Sequence, residues 1–213
     1  VEGRSGFTRV FVEQGVALSA PEVRGERRLR GVLARDGSER LRVRFLGPMG
    51  MMVLDYVQAD GLWQLTVPPA RISQRGLVGD VLVVEGLEGL PTIAPDQFAR
   101  LFLSLSPEVD VRWQAGTCAV LEVLDSQGSP DRRVGFRQTP EGWQVAREEL
   151  IDGTAVRLVA SFEDYRVVGD AGLWPHRQEL VDPTGGSKVV LETLALRTDA
   201  IDPSFFDLPP LNE

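Results

Sequence analysis

Residues 40–52 read Arg40-Leu41-Arg42-Val43-Arg44-Phe45-Leu46-Gly47-Pro48-Met49-Gly50-Met51-Met52. The first half of this stretch decides the fold class. Its period is two: Arg40, Arg42 and Arg44 fall on one face, Leu41, Val43 and Phe45 on the other. That is a strand with one face toward a core. The second half turns the chain, because Gly47-Pro48 and Gly50 interrupt a strand and leave Met49 at the tip. All three methionines of the chain lie within residues 49–52. A turn tip ordinarily carries Asn, Asp or Ser. A flexible apolar side chain there points either to insertion into lipid or to a cover for the protein's own core.

The same period recurs in both directions. Strand-like runs lie at 7–12, 28–34, 52–57, 63–67, 81–85, 118–124, 133–138, 142–147, 156–161, 165–168, 178–181 and 189–197. Asp36-Gly37, Asp60-Gly61, Glu141-Gly142, Asp152-Gly153 and Gly185-Gly186 punctuate them as turns. Many short strands joined by Gly and Asp turns predict an antiparallel sandwich or barrel. One segment departs from the pattern. In 95–105, Phe98, Leu101, Phe102 and Leu105 recur at helical spacing, Pro95 suits a first turn, and Pro107 ends the run. Its apolar stripe is expected to lie against the concave side of the sheet. Pro68-Pro69 and 86–91 read as loops, and no linker or repeat divides residues 1–213, which are expected to form one domain.

Of the 213 residues, 43% are hydrophobic and 25% charged, enough apolar surface for a sizeable core. No apolar run approaches the roughly 20 residues of a spanning helix. The net charge of -8 argues against nucleic acid as a partner. The charge is uneven. Residues 1–50 hold ten arginines against six acids, net +4, and the rest of the chain is net -12. A basic first quarter could meet an anionic surface, although a set of solvated strand faces is the simpler account.

Catalytic patterns are missing. The chain has no G-x-S-x-G, P-loop, H-E-x-x-H or G-x-G-x-x-G. One cysteine, Cys118, excludes an intrachain disulfide, and one histidine, His176, lacks the companions a zinc site needs. Both are expected to be structural. Glu148-Glu149 and Glu163-Asp164 are strand neighbours that point to opposite faces, and they read as solvated charge. No enzyme activity, cofactor or metal is expected.

The order strand, Gly47-Pro48-Met49-Gly50, strand, Asp60-Gly61, strand resembles the lipoprotein-localisation proteins LolA and LolB and their relatives of the bacterial envelope. So do the helix at 95–105 and the late stretches Tyr165-Arg166-Val167-Val168-Gly169, Leu173-Trp174-Pro175-His176-Arg177 and Phe205-Phe206-Asp207-Leu208-Pro209. The resemblance spans about residues 28–209. The chain departs from it by opening on strand-like residues rather than a helix, by Met49 where Leu is common, and by lacking an anchoring cysteine at its start.

The resemblance implies a mainly β fold, an incomplete antiparallel barrel with one or more helices covering its concave face. It implies an apolar cavity that binds the acyl chains of lipoproteins, or phospholipid, and delivers them to the outer membrane. A LolB-like receptor is favoured over a soluble LolA-like carrier. The lining residues would be Phe45, Leu54, Tyr56, Trp63, Leu65, Phe98, Leu101, Phe102 and Trp113. Gly47, Pro48, Met49, Gly50 and Met51 would form a membrane-inserting loop. The setting would be the periplasm, at the inner leaflet of the outer membrane, with the anchor in a missing leader. A periplasmic carrier or another envelope protein would be the partner. The alternative is a structural or sensory envelope lipoprotein that uses the same fold for protein contacts without transport.

Overall fold

The computed structural model describes residues 7–21, 25–78, 111–114, 119–124, 128–140, 142–169 and 172–210, with 111–114 as backbone only. These residues form β1 (Arg9–Ser19), β2 (Arg27–Asp36), β3 (Arg40–Leu46), β4 (Met52–Ala59), β5 (Leu62–Val67), β6 (Ile72–Leu77) and β7 (Val111–Gln114). They continue with β8 (Ala119–Leu124), β9 (Pro130–Thr139), β10 (Gly142–Asp152), β11 (Ala155–Val168), β12 (Gly172–Val181) and β13 (Lys188–Arg197). Among the described residues the remaining regular structure is three short 3-10 turns, Pro48–Gly50, Pro68–Ala70 and Pro203–Phe206.

All thirteen strands belong to one antiparallel sheet, ordered β6-β5-β4-β3-β2-β1-β13-β12-β11-β10-β9-β8-β7. Neighbours are consecutive in the chain except at the middle, where the last strand pairs with the first. The edge strands β6 and β7 do not pair with each other, so the barrel is incomplete. The hairpins form where the turn residues allow it. Asp60 and Gly61 both adopt positive φ, 52° and 77°. Two left-handed residues in sequence match the twist of a two-residue hairpin, and Asp-Gly is a pair that tolerates it.

Alternation sorts the side chains onto two faces. The inner face carries the main core in cross-strand rows. One runs Leu196, Val12, Leu33, Val43, Tyr56, Leu65 over β13 and β1 to β5. Another runs Leu18, Val189, Leu180, Ala160, Glu148, Val134, Leu121 across the other half. Nearly all of these side chains are buried in one hydrophobic cluster. A one-residue slip of any strand would send its core set to the other side, so burial fixes the register.

The outer face of β1 to β6 is covered by the segment after β13. Ile201 and Phe206 bury Ala34 and Ala59, with Phe11 and Phe205 packed against them. The Phe11 and Phe205 rings meet edge to face at 5.5 Å. Backbone carbonyls of this segment accept hydrogen bonds from Arg42, at Phe205, and from Arg75, at Pro209. Asp202 starts its 3-10 turn by accepting from the Ser204 backbone N–H.

Several expectations need correction. Arg42 is buried, because Asp55 and the carbonyl of Phe205 surround it. The first strand runs on to Ser19, and the runs at 156–161 and 165–168 are one strand, β11, bent at Asp164 with φ 52°. β6 and β7 were not expected. Glu148 is buried in an inner row rather than solvated, since it shares parity with Leu150 of the core. The run at 81–85, the helix at 95–105, the loop at 86–91 and Cys118 lie outside the described residues. No cover of the inner face by a helix is therefore shown.

Candidate functional site

Five of the expected lining residues share the inner face of β3 to β5. Phe45 pairs with Leu54, and Tyr56 pairs with Leu65. Trp63 lies one row further along, opposite Gly76 of β6. Tyr56, Trp63 and Leu65 are buried in the main cluster, and Phe45 and Leu54 pack on it half-buried. The Tyr56 hydroxyl donates to Gln58 Oε1 at 3.1 Å. Phe98, Leu101 and Phe102 lie outside the described residues, and Trp113 is described by its backbone alone, on β7.

Gly76 is what lets Trp63 lie flat on the edge strand. A Cβ there would fall 2.7 Å from the indole ring. The indole thus occupies the space that a side chain on β6 would take, a pairing that shields an edge glycine.

The turn between β3 and β4 stands clear of the sheet. The Gly47 N–H donates to the Met51 carbonyl at 2.7 Å, closing a tight loop around Pro48–Gly50. Met49 sits at φ 58°, ψ 19°. The left-handed conformation is unfavourable for a residue with a Cβ, by about 1–2 kcal/mol. It throws the side chain outward: Met49 is 95% exposed and Met51 58%.

Arginines flank this tip. Arg27, Arg28 and Arg30 open β2 and are exposed. Arg30 pairs in register with Leu46, the residue before Gly47. Arg71, left-handed at φ 56° on the β5–β6 turn, is exposed at the same end of the sheet. Arg28 bridges Glu26 at 3.0 Å. Among the described residues Arg27, Arg30 and Arg71 make no ion pair. Sequence reading found the basic first quarter but not its position. The hairpin register supplies that.

Two glutamines interrupt the inner face at its centre, beside Thr193. Gln14 of β1 pairs with Thr193 of β13, and Gln178 of β12 pairs with Leu191 of β13. Gln14 is 2% exposed and Gln178 1%. Among the described residues the Gln14 Nε2 and both polar atoms of the Gln178 amide have no hydrogen-bond partner. Sequence reading passed over both.

Among the described residues no cluster of His, Cys, Asp and Glu could hold a metal ion, and no helix is long and apolar enough to cross a membrane. Burial pushes the His176 imidazole below its ordinary value; Arg166 adds to the effect and Asp164 opposes it.

No protein-family model and no curated protein matches the sequence. Solved structures do. A LolA superfamily protein from Nitrosomonas europaea superposes with a TM-score of 0.68 at 14% identity, over 97% of this chain and 93% of that one. A domain from Vibrio parahaemolyticus assigned to outer membrane lipoprotein sorting gives 0.65 at 13% identity, over 95% and 91%. A DUF1329 family protein from Desulfovibrio piger gives 0.67 at 13%, over 95% and 91%. At such identities likeness speaks for architecture, and with the open antiparallel sheet it establishes that this chain has the fold of the LolA superfamily.

Proposed function

We propose that the protein binds acyl chains of a lipoprotein, or of phospholipid, on its inner face and hands them to a membrane at the Met49 turn, without covalent chemistry. The LolA-type fold supports a carrier role in the bacterial envelope. The observation that carries the delivery step is Met49 itself, 95% exposed on a left-handed turn at the arginine-flanked end of the sheet. Leaving a side chain of that size in water forgoes roughly 1.5–3 kcal/mol. A tip that enters lipid recovers it, and the flanking cations meet anionic headgroups, each contributing about 1 kcal/mol near such a surface. A protruding tip of this kind favours the LolB-like receptor over the soluble carrier, with the outer membrane as acceptor.

The inner face supplies the hold. Each buried methylene contributes about 0.8 kcal/mol, so partial shelter of one acyl chain suffices for reversible binding. Two experiments test the reading. A fluorescent acyl probe added to the protein is expected to quench Trp63 emission and to be displaced by a lipopeptide. Protein loaded with labelled lipopeptide is expected to transfer it to vesicles. A probe that fails to bind would remove the acyl site, and loading without transfer would remove the delivery step.

A further inference from the structure

Gln14 and Gln178 straddle the middle of the sheet. β13 is the seventh of thirteen strands, and the two glutamines stand on the strands to either side of it, on the same inner face. From strand spacing and one residue-pair of offset their Cα atoms are about 10–12 Å apart. Around them the face is apolar apart from Thr193, which pairs with Gln14 and accepts from the Trp174 indole N–H: Val12 and Val16 flank Gln14 on β1, Phe162 and Leu191 pair with Gln178, and Leu180 follows it. A buried donor or acceptor left without a partner costs about 1–3 kcal/mol. Leucine or methionine at either place would avoid that cost. Three such atoms stand on this face with no partner among the described residues.

We infer that Gln14 and Gln178 bind the polar linkage of an amide-linked acyl lipid, with its hydrocarbon on the apolar rows around them. This deepens the acyl-binding reading and rests on it. The donor count selects the linkage. Gln14 Nε2 and Gln178 Nε2 each need an acceptor, which any acyl carbonyl provides. Gln178 Oε1 needs a donor. An ester has none, whereas a secondary amide offers both a carbonyl and an N–H. A bare hydrocarbon satisfies none of the three atoms. A site whose buried polar groups await partners discriminates strongly against ligands that lack them.

The test measures displacement of a fluorescent alkyl reporter by N-methylpalmitamide, methyl palmitate and hexadecane. The wild-type protein is compared with the double variant Gln14→Met, Gln178→Met. Methionine keeps the length and removes the polar atoms, so the variant is expected to fold with an unchanged or raised Tm. For the wild type the amide is expected to bind at least tenfold tighter than the ester, with the hydrocarbon weakest. For the variant the three are expected to converge to within a few-fold, with hexadecane binding no weaker than before. Equal affinities for amide and ester in the wild type would overturn the inference while leaving acyl binding intact. So would an amide preference that persists in the variant. A reporter that does not bind the wild type would overturn the acyl-binding reading and this inference with it.

Discussion

Arg42 and Asp55 join β3 to β4 on the outer face as a two-point pair, Nη2 to Oδ2 at 2.6 Å and Nε to Oδ1 at 2.9 Å. Arg44 adds a third contact to Oδ2 at 2.9 Å, and the carbonyl of Phe205 closes over Arg42. Burial alone would raise the Asp55 carboxyl, but hydrogen bonds from Arg42 and Arg44 outweigh it and hold the group below the ordinary range. The carboxylate is thus the anchor on which two arginines and the segment after β13 depend.

Asp55→Asn is expected to destabilise the protein by about 3 kcal/mol, because it leaves a buried arginine without its counter-charge. Urea denaturation of the two proteins measures it. The pH dependence follows from the lowered pKa. Unfolded Asp55 takes up a proton at a higher pH than the folded group does, so its contribution is complete above about pH 5 and is lost as pH falls through the folded value. Stability of the wild type is expected to decline below pH 4 more steeply than that of the Asn variant.

Gly76→Ala places a methyl group against the Trp63 ring, where the space is already taken. The indole must swing off the edge strand. A cost of about 1–3 kcal/mol is expected, together with a shift in tryptophan emission as Trp63 gains solvent. An unchanged spectrum at full stability would show that the ring has room to spare.

Met49→Glu is expected to leave the melting temperature within a degree or two, since exposed substitutions usually stay within about 0.5 kcal/mol. Vesicle co-sedimentation is expected to fall at least tenfold. A variant that transfers lipopeptide as well as the parent would remove the turn from the delivery step.

Replacing Arg27, Arg30 and Arg71 together by Gln isolates the charge component of membrane contact. Binding to vesicles rich in phosphatidylglycerol is expected to drop at least tenfold and to lose most of its salt dependence. Binding to neutral phosphatidylcholine vesicles is expected to stay as it was. Equal losses on both would point to a change in the loop rather than in charge.

Alternation carried much of the fold. Leu41, Val43 and Phe45 do face inward, and Arg42 and Arg44 do face outward, as the period of two requires. The burial of Arg42 was hidden because its cover arrives from more than 150 residues away, and no local pattern announces such a contact. β6 escaped notice because Ile72, Gln74 and Gly76 do not read as an apolar face; an edge strand shielded by its neighbour's tryptophan needs no such face. The Met49 tip was legible, since glycine and proline turn chemistry is local. The two central glutamines were not: only the pairing of β1 and β12 with the last strand brings Gln14 and Gln178 to one floor.

The place of β13 sets an order of events for a growing chain. β1 to β6 form a meander of consecutive antiparallel strands, as do β7 to β12, and local contacts of this kind close early. Neither meander can complete its inner boundary until residues 188–197 emerge, because β1 and β12 share that one strand between them. Until then two long edges stand open, each a template for pairing with another chain. The closing strand is thus the step at which an aggregation-exposed pair of half-sheets becomes a protein, and a chain cut short before residue 188 forfeits the join, not merely one strand.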